Sequence, residues 1–321
     1  MNEPASPDGG RRWLFVLARW LVPVLLLAVL LWRIPLAELR QHFGAGPVAW
    51  IALYVLVQVG VTLLADGWAT QVALIAAGIR RSFGAVLLVR GASYLLSVLN
   101  FLLGQGGIGI YLVKTGVSAA RSTGVALLVS VVALSNLLVV GFLALVAYRG
   151  TLFVPGLLPA VGFAMAAWLA YLVVVAKPPA WLRRRDWLGP LTGIGLGPHL
   201  KAFAGRLPHT FLLLLGHWGG LRLWGVEVPL GEGMALIAIV LLITALPIAP
   251  AGLGTFQAAQ VWLLSPYVVD GSGEAGILAF SLTYHACGML TQVLYGALCL
   301  GPAMRVTARY AALVQDGDPG P

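Results

Sequence analysis

The residues that could do chemistry in this sequence are one arginine and two glycine-rich segments. Arg90 stands about 12 Å into an apolar stretch by helical rise. An ionisable side chain at such depth marks a binding site by default. Its bland alternative is a long stem that carries the guanidinium out to polar surroundings. The glycine-rich segments are Gly104-Gln-Gly-Gly-Ile-Gly-Ile-Tyr111 and Pro247-Ile-Ala-Pro-Ala-Gly-Leu-Gly-Thr-Phe256. Both carry a small-Gly-apolar-Gly core. Gly106, Gly107, Gly109, Gly252 and Gly254 permit backbone conformations closed to other residues. Pro247 and Pro250 lack the N–H that a helix needs. Two helix breaks are therefore expected. The N–H groups freed at a half-helix N-terminus attract anions, a phosphate above all. Asn100, Gln105, Tyr111 and Lys114 flank the first segment; Thr255, Gln257 and Gln260 flank the second. Each could donate to such a ligand or satisfy backbone freed by the break.

Other chemistry finds no footing. Gly-Gln-Gly-Gly-Ile-Gly lacks the strand and βαβ unit of a dinucleotide site. No nucleotide loop, metal-ligand spacing, nucleophile elbow or carboxylate pair occurs, so neither a catalytic residue, a metal nor a cofactor is expected. Cys287 and Cys299 read as small hydrophobes. His217 reads as a buried, satisfied histidine. His285 and Gln292, one heptad apart, share a helix face. Asp66 reads as an acid at the end of a span, and Arg222 as a residue reaching the interface.

The elements that must position these groups are membrane helices. The 321 residues are 60% hydrophobic and 10% charged, with a mean hydropathy of +0.93. Soluble domains carry about 25% charge. The expected fold is an all-α polytopic membrane protein of about eight hydrophobic segments. Six full spans fall near 13–32, 47–65, 122–148, 154–176, 207–226 and 274–300, with residues 68–79 continuing the second as an interfacial helix. Two re-entrant helical hairpins, about 82–118 and 231–265, hold the glycine breaks. Residues 1–10 form a disordered tail, 11–310 one transmembrane domain with a cytoplasmic loop at 177–206, and 311–321 a C-terminal tail. Arg11-Arg12 precede a retained signal-anchor rather than a cleaved signal.

Positive charge supports the hairpins. With a cytoplasmic N-terminus, the inside holds Arg11, Arg12, Arg80, Arg81, Lys114, Arg121, Lys177, Arg183, Arg184, Arg185, Lys201, Arg206, Arg305 and Arg309. The outside holds Arg33, Arg40 and Arg149, and its short segments near 227–232 and 266–274 carry only acids. Counting 82–118 as one simple crossing would move Lys177 to Arg206 outside, against the positive-inside rule. The two hairpins then enter from opposite faces, as in an inverted repeat whose breaks meet near the midplane. The net charge of +9 reads as topology and attraction to anionic lipid. No basic face outside the spans would suit a nucleic acid.

At Leu99-Asn100-Phe-Leu-Leu-Gly-Gln-Gly-Gly-Ile-Gly109 and Leu246-Pro-Ile-Ala-Pro-Ala-Gly-Leu-Gly-Thr-Phe-Gln-Ala-Ala259 the chain resembles a family. It is similar to the transmembrane region of lysylphosphatidylglycerol synthases, the flippase-like membrane proteins. The resemblance runs from about Arg12 to Met304. It implies a multi-pass protein of the bacterial inner membrane, both termini cytoplasmic, that moves lipid. No synthase-like segment is present in the sequence, which suits a stand-alone member. Such relatives handle other lipids, among them hopanoids, cardiolipin and polyprenyl-linked sugars. Three positions depart from the pattern: Ile110 and Gln257 stand where acids are common, and Ala251 where Gly is. A cationic headgroup or a coupling proton at those acids is not expected here.

The expected function is thus translocation or trafficking of a lipid or lipid-linked molecule. Partners would be anionic phospholipid, hopanoid or polyprenyl-linked headgroups, with a lipid-biosynthesis enzyme as a further partner. The headgroup phosphate would meet Arg90 and the two half-helix N-termini. The competing classes are a membrane-embedded lipid-modifying enzyme subunit, which requires converging acids or histidines, and a non-catalytic scaffold, which requires no cavity.

Overall fold

The computed structural model describes residues 21, 25–152, 154, 156–183, 189–246, 252–268 and 273–315. Among them every regular element is a helix, and one isolated bridge joins Val226 to Val268. Residues 25–33 form α1. It is followed by α2 (Leu36–Ala45), α3 (Val48–Ala76), α4 (Phe83–Ser97), α5 (Phe101–Lys114), α6 (Ala119–Ala147) and α7 (Leu157–Ala176). The short α8 (Ala180–Arg183) and α9 (Gly189–Thr192) lead to α10 (Leu196–Leu223). Then come α11 (Leu230–Ala245), α12 (Thr255–Leu264), a 3₁₀ turn at Ser265–Tyr267, and α13 (Gly273–Gln315).

Four helices, α3, α6, α7 and most of α13, are long and apolar enough to cross a bilayer. The helices α4, α5, α11 and α12 have 15, 14, 16 and 10 residues. At about 1.5 Å per residue none reaches the roughly 30 Å of a hydrocarbon core. Each packs against its partner, α4 on α5 and α11 on α12.

The two ends of the bundle are tied by polar contacts. At one end Arg33 reaches Glu274 at 2.6 Å, and the Glu227 N–H donates to the Tyr267 carbonyl at 3.1 Å. There the Tyr267 hydroxyl donates to Glu232 at 2.6 Å. Burial, reinforced by that carboxylate, raises the Tyr267 pKa well above its ordinary value. At the other end Arg121 donates to the Ala77 carbonyl at 2.8 Å and Arg81 to that of Thr115 at 3.3 Å. Both ends of the α4–α5 unit, at Ser82 and Thr115, lie at this second end. Both ends of the α11–α12 unit lie at the first.

The packing repeats itself. Helix α4 lies on α13 as α11 lies on α6, and α3 lies on α13 as α10 lies on α6. Helices α3 and α10 form the most extensive helix pair and lie on each other. The order helix, short pair, helix thus occurs twice, in α3–α6 and α10–α13, with α3 and α10 at the centre.

The two turns differ from expectation in one respect. The second sits at its glycines: α11 ends at Ala245, Gly252 and Gly254 have φ of 72° and 76°, and α12 starts at Thr255. Pro247, Pro250 and Ala251 lie outside the described residues. The first sits before its glycines. Helix α4 ends at Ser97, Asn100 is extended, and Gly104 to Gly109 lie inside α5. Asn100 explains the position: its Oδ1 accepts the Leu102 N–H at 2.9 Å, an N-cap. The glycines of α5 serve close packing instead. A Cβ on Gly104 would stand 2.9 Å from the Ser97 Cα, and one on Gly107 2.9 Å from the Ser93 Cβ. Within the segment 177–206 lie α8, α9 and the first turns of α10.

The glycines of α5 should therefore separate on substitution. Gly104→Ala must push α4 and α5 apart and should lower the thermal unfolding midpoint in detergent. Gly106→Ala meets no atom within 4 Å and should be neutral or stabilising by up to about 1 kcal/mol. Equal midpoints for the two variants would contradict this packing.

Candidate functional site

The chain of contacts starts at Asp66, inside the 29-residue α3. It is 1% exposed, so it is no boundary acid. The helix runs on to Ala76 and leaves Asp66 about 15 Å short of its end. Burial of a lone carboxylate is prohibitive, so partners must be supplied. Arg90 from α4 supplies two donors: Nε at 2.8 Å and Nη2 at 2.7 Å, both to Oδ2. Its Nη1 donates to the Gly104 carbonyl at 3.1 Å, across the α4–α5 turn. Arg206 from α10 supplies a third contact, Nη2 to Oδ1 at 3.1 Å, in ion-pair range but off hydrogen-bond alignment.

Arg90 is 1% exposed and Arg206 4%. The alternative in which Arg90 reaches outward does not hold: its guanidinium turns inward to the carboxylate. Three of its five N–H donors are engaged by protein, which leaves one on each Nη for a ligand. Arg206, read from the sequence as a loop charge, is part of the buried cluster.

The cluster lines a cavity of about 300 Å³, at the small end of ligand-site volumes. Both turns converge on it. Asn100, Phe101 and Gln105 reach it from the α4–α5 unit; Thr244, Gly252 and Phe256 reach it from the α11–α12 unit. Helix α10 adds His209 and His217, and α13 adds Tyr284, His285 and Gln292. The walls are held by hydrogen bonds between helices. Tyr284 donates to Gln58 at 2.7 Å, and Tyr54 to the Gly216 carbonyl at 2.8 Å. His217 is enclosed by the rings of Phe256, Phe280 and Tyr284, at 5.7, 5.8 and 4.6 Å between centroids.

The expected site residues divide by location. Arg90, Asn100, Gln105 and Gly252 line the cavity. Gly254, Thr255 and Gln257 build the second turn behind it. Gly254 donates its N–H to Gln257 Oε1 at 2.7 Å, and Thr255 Oγ1 donates to the Gly252 carbonyl at 2.9 Å. Gln257 Nε2 also meets His285 Nδ1 at 3.2 Å. Gly107, Tyr111 and Lys114 are elsewhere, along a largely apolar groove between α4, α5 and α13. Gly109 packs against Ala126, and Gly106 faces open space. Ile110 points outward, 55% exposed, so its departure from the family pattern does not alter the cavity. Gln260 is fully buried in α12. Arg222 lies over the Trp218 ring at 5.8 Å.

Sequence reasoning missed Asp66, Arg206 and His209 as members of one site. A signal for Asp66 existed: it interrupts apolar sequence that continues beyond it, the situation that made Arg90 conspicuous. No group of three or more His, Cys, Asp or Glu placed to hold a metal occurs among the described residues.

Electrostatically the cluster is unbalanced. Two guanidiniums meet one carboxylate, leaving one formal positive charge in a buried site. Arrangements of this kind attract an anion, and the cavity beside them offers it room. Removing one member of a buried ion cluster costs about 3–5 kcal/mol, because the remainder is left uncompensated. Asp66→Ala should thus be the most damaging single change here, with Arg90→Leu next. Arg206→Met should be milder, since the bidentate Arg90–Asp66 pair survives. Thermal unfolding in detergent would measure the order, and an unaffected Asp66→Ala protein would refute it. Comparison of the chain with family models and with curated proteins gives no match.

Proposed function

We propose that this protein translocates or traffics a phosphate-bearing lipid or lipid-linked molecule in a bacterial inner membrane. The observation that carries the proposal is the buried Arg90–Asp66–Arg206 cluster, with its excess positive charge, facing a cavity where two helix turns meet. The site is expected to hold the phosphate mainly through Arg206, whose one ion pair among the described residues is the Nη2–Oδ1 approach. Arg90 fixes the carboxylate and ties α3 to both halves of the α4–α5 unit.

In this proposal α4–α5 and α11–α12 are re-entrant hairpins from opposite faces, supplementing six full spans. Their short lengths, paired packing and opposed ends support it, as does the positive charge gathered at the α4–α5 end. The repeated packing of α3–α6 and α10–α13 fits an inverted-repeat transporter with its site at the repeat interface. The resemblance to the flippase-like family agrees with this and suggests N- and C-termini on the cytoplasmic side.

Two tests follow. In a chain with Cys287 and Cys299 replaced by Ala, cysteines at Arg80 and Lys114 should label from one face and a cysteine at Arg149 from the other. Labelling of positions 80 and 114 from opposite faces would overturn the hairpin. In liposomes, the protein should accelerate leaflet exchange of labelled anionic phospholipid or polyprenyl phosphate. Arg206→Gln should cut that rate at least about tenfold, given 1.5–3 kcal/mol for a charged hydrogen bond, while Arg222→Gln leaves it unchanged. No acceleration by the parent chain for any anionic lipid would sink the proposal.

The enzyme alternative gains one supporting observation: His209, His217 and His285 line the same cavity as Asp66. It would predict chemical turnover of the lipid, visible as a new product in those liposomes. The scaffold alternative would be favoured by hairpin tips without a cavity; the cavity beside them supports the transport reading instead.

A further inference from the structure

The cavity's polar groups say more about the ligand than its phosphate. Among the described residues Asp66 is the sole carboxylate lining it. That carboxylate is covered on one oxygen by Arg90 and approached on the other by Arg206. A ligand ammonium would therefore enter a region with one excess positive charge, poorly screened by the buried surroundings. Like-charge juxtaposition of this kind is a device for rejecting wrong partners.

What remains around the cluster suits hydroxyl groups. Gln58, Asn100, Gln105 and Gln292 reach the cavity as side-chain amides, and Thr62 and Tyr94 as hydroxyls. Buried atoms of its lining residues that have no hydrogen-bond partner include Gln105 Oε1 and His217 Nε2, and Asp66 Oδ1, which meets Arg206 only as an ion pair. Gln105 is only 4% exposed. A buried acceptor left unpaired costs about 1–3 kcal/mol, so a ligand hydroxyl that donates to it is favoured over a headgroup without one.

We infer that the cavity selects a phosphate ester carrying neighbouring hydroxyls and rejects headgroups that carry an ammonium. This deepens the proposed function and rests on the same site. Such chemistry occurs in two sources, a phosphoglycerol headgroup and a sugar joined to a polyprenyl phosphate. The site's polar complement suits both.

The test is direct binding to the full chain in nanodiscs of phosphatidylcholine. The probes are dioctanoyl forms of phosphatidylglycerol, phosphatidic acid, phosphatidylethanolamine and lysyl-phosphatidylglycerol, and a polyprenyl phosphate mono-sugar. Phosphatidylglycerol or the sugar lipid should bind at least tenfold tighter than both ammonium-bearing lipids, and whichever of the two is tighter identifies the source. Gln105→Leu keeps the charge and should erase the advantage of phosphatidylglycerol over phosphatidic acid while leaving phosphatidic acid unchanged. Gln292→Glu, at a partly exposed position where folding tolerates it, brings the cavity to neutral. It should shrink the discrimination against ethanolamine at least tenfold. Equal or tighter binding of either ammonium lipid to the parent chain would overturn the inference while leaving a transport function standing. Absence of binding by every phosphate lipid would overturn both.

Discussion

Everything in the centre of this fold depends on the need to neutralise Asp66. A carboxylate that is 1% exposed in the middle of a 29-residue apolar helix cannot stand alone. The answer draws on three helices at once. Arg90 brings α4 against α3, and Arg206 does the same for α10. Through its third donor Arg90 also holds the carbonyl of Gly104, so the first turn of α5 is fixed relative to α3 and α4. One acid thereby sets the position of the α4–α5 tip, and with it one wall of the cavity. Ion clusters of this kind are weak sources of stability relative to a well-packed apolar replacement. Their value lies in geometry: few other arrangements of these helices would leave three charges satisfied.

The fold class was legible in the sequence because hydropathy reports burial in lipid directly. The segments near 122–148 and 154–176 reappear as α6 and α7 with boundaries moved by a few residues. The two short helical pairs were legible too, since each broken stretch is too long for one crossing and too short for two. The exact break was legible only where chain geometry demanded glycine. At Gly252 and Gly254 the φ values are positive, so the residue type marks the turn. At the first break it does not. Asn100 ends the turn with an ordinary extended backbone and a side-chain cap, and this leaves a much fainter trace than four glycines. Three of those glycines mark contacts of α5 with its neighbours: Gly104 and Gly107 with α4 at Ser97 and Ser93, and Gly109 with α6 at Ala126.

The site was less legible than the fold because its members come from distant parts of the chain. Arg90 stood out by depth alone. Asp66 and Arg206 were each assigned to a helix end or a loop, where charge needs no partner. They are 140 residues apart (206 − 66), and only the packing of α3 on α10 brings them together. Depth within an apolar run is a local property, but charge compensation is not. A buried arginine in apolar sequence should prompt a search for its carboxylate in every other span.

The helix termini illustrate the same limit from the other side. Two half-helix N-termini beside a cavity suggest that backbone N–H groups hold an anion there. In the folded chain one N–H at each turn is already taken by a side chain. The Leu102 N–H is taken by Asn100, and the Gly254 N–H by Gln257. A phosphate held as proposed would therefore meet side chains as well as the remaining backbone N–H groups and the helix dipoles. That shifts specificity from the glycine motifs, which any member of such a fold could share, to the sparse polar residues between them. In the proposed reading, exchanging Gln105, Gln292 or Arg206 would alter what the cavity accepts without disturbing either turn. The glycine segments build the place, and the residues around Asp66 decide what occupies it.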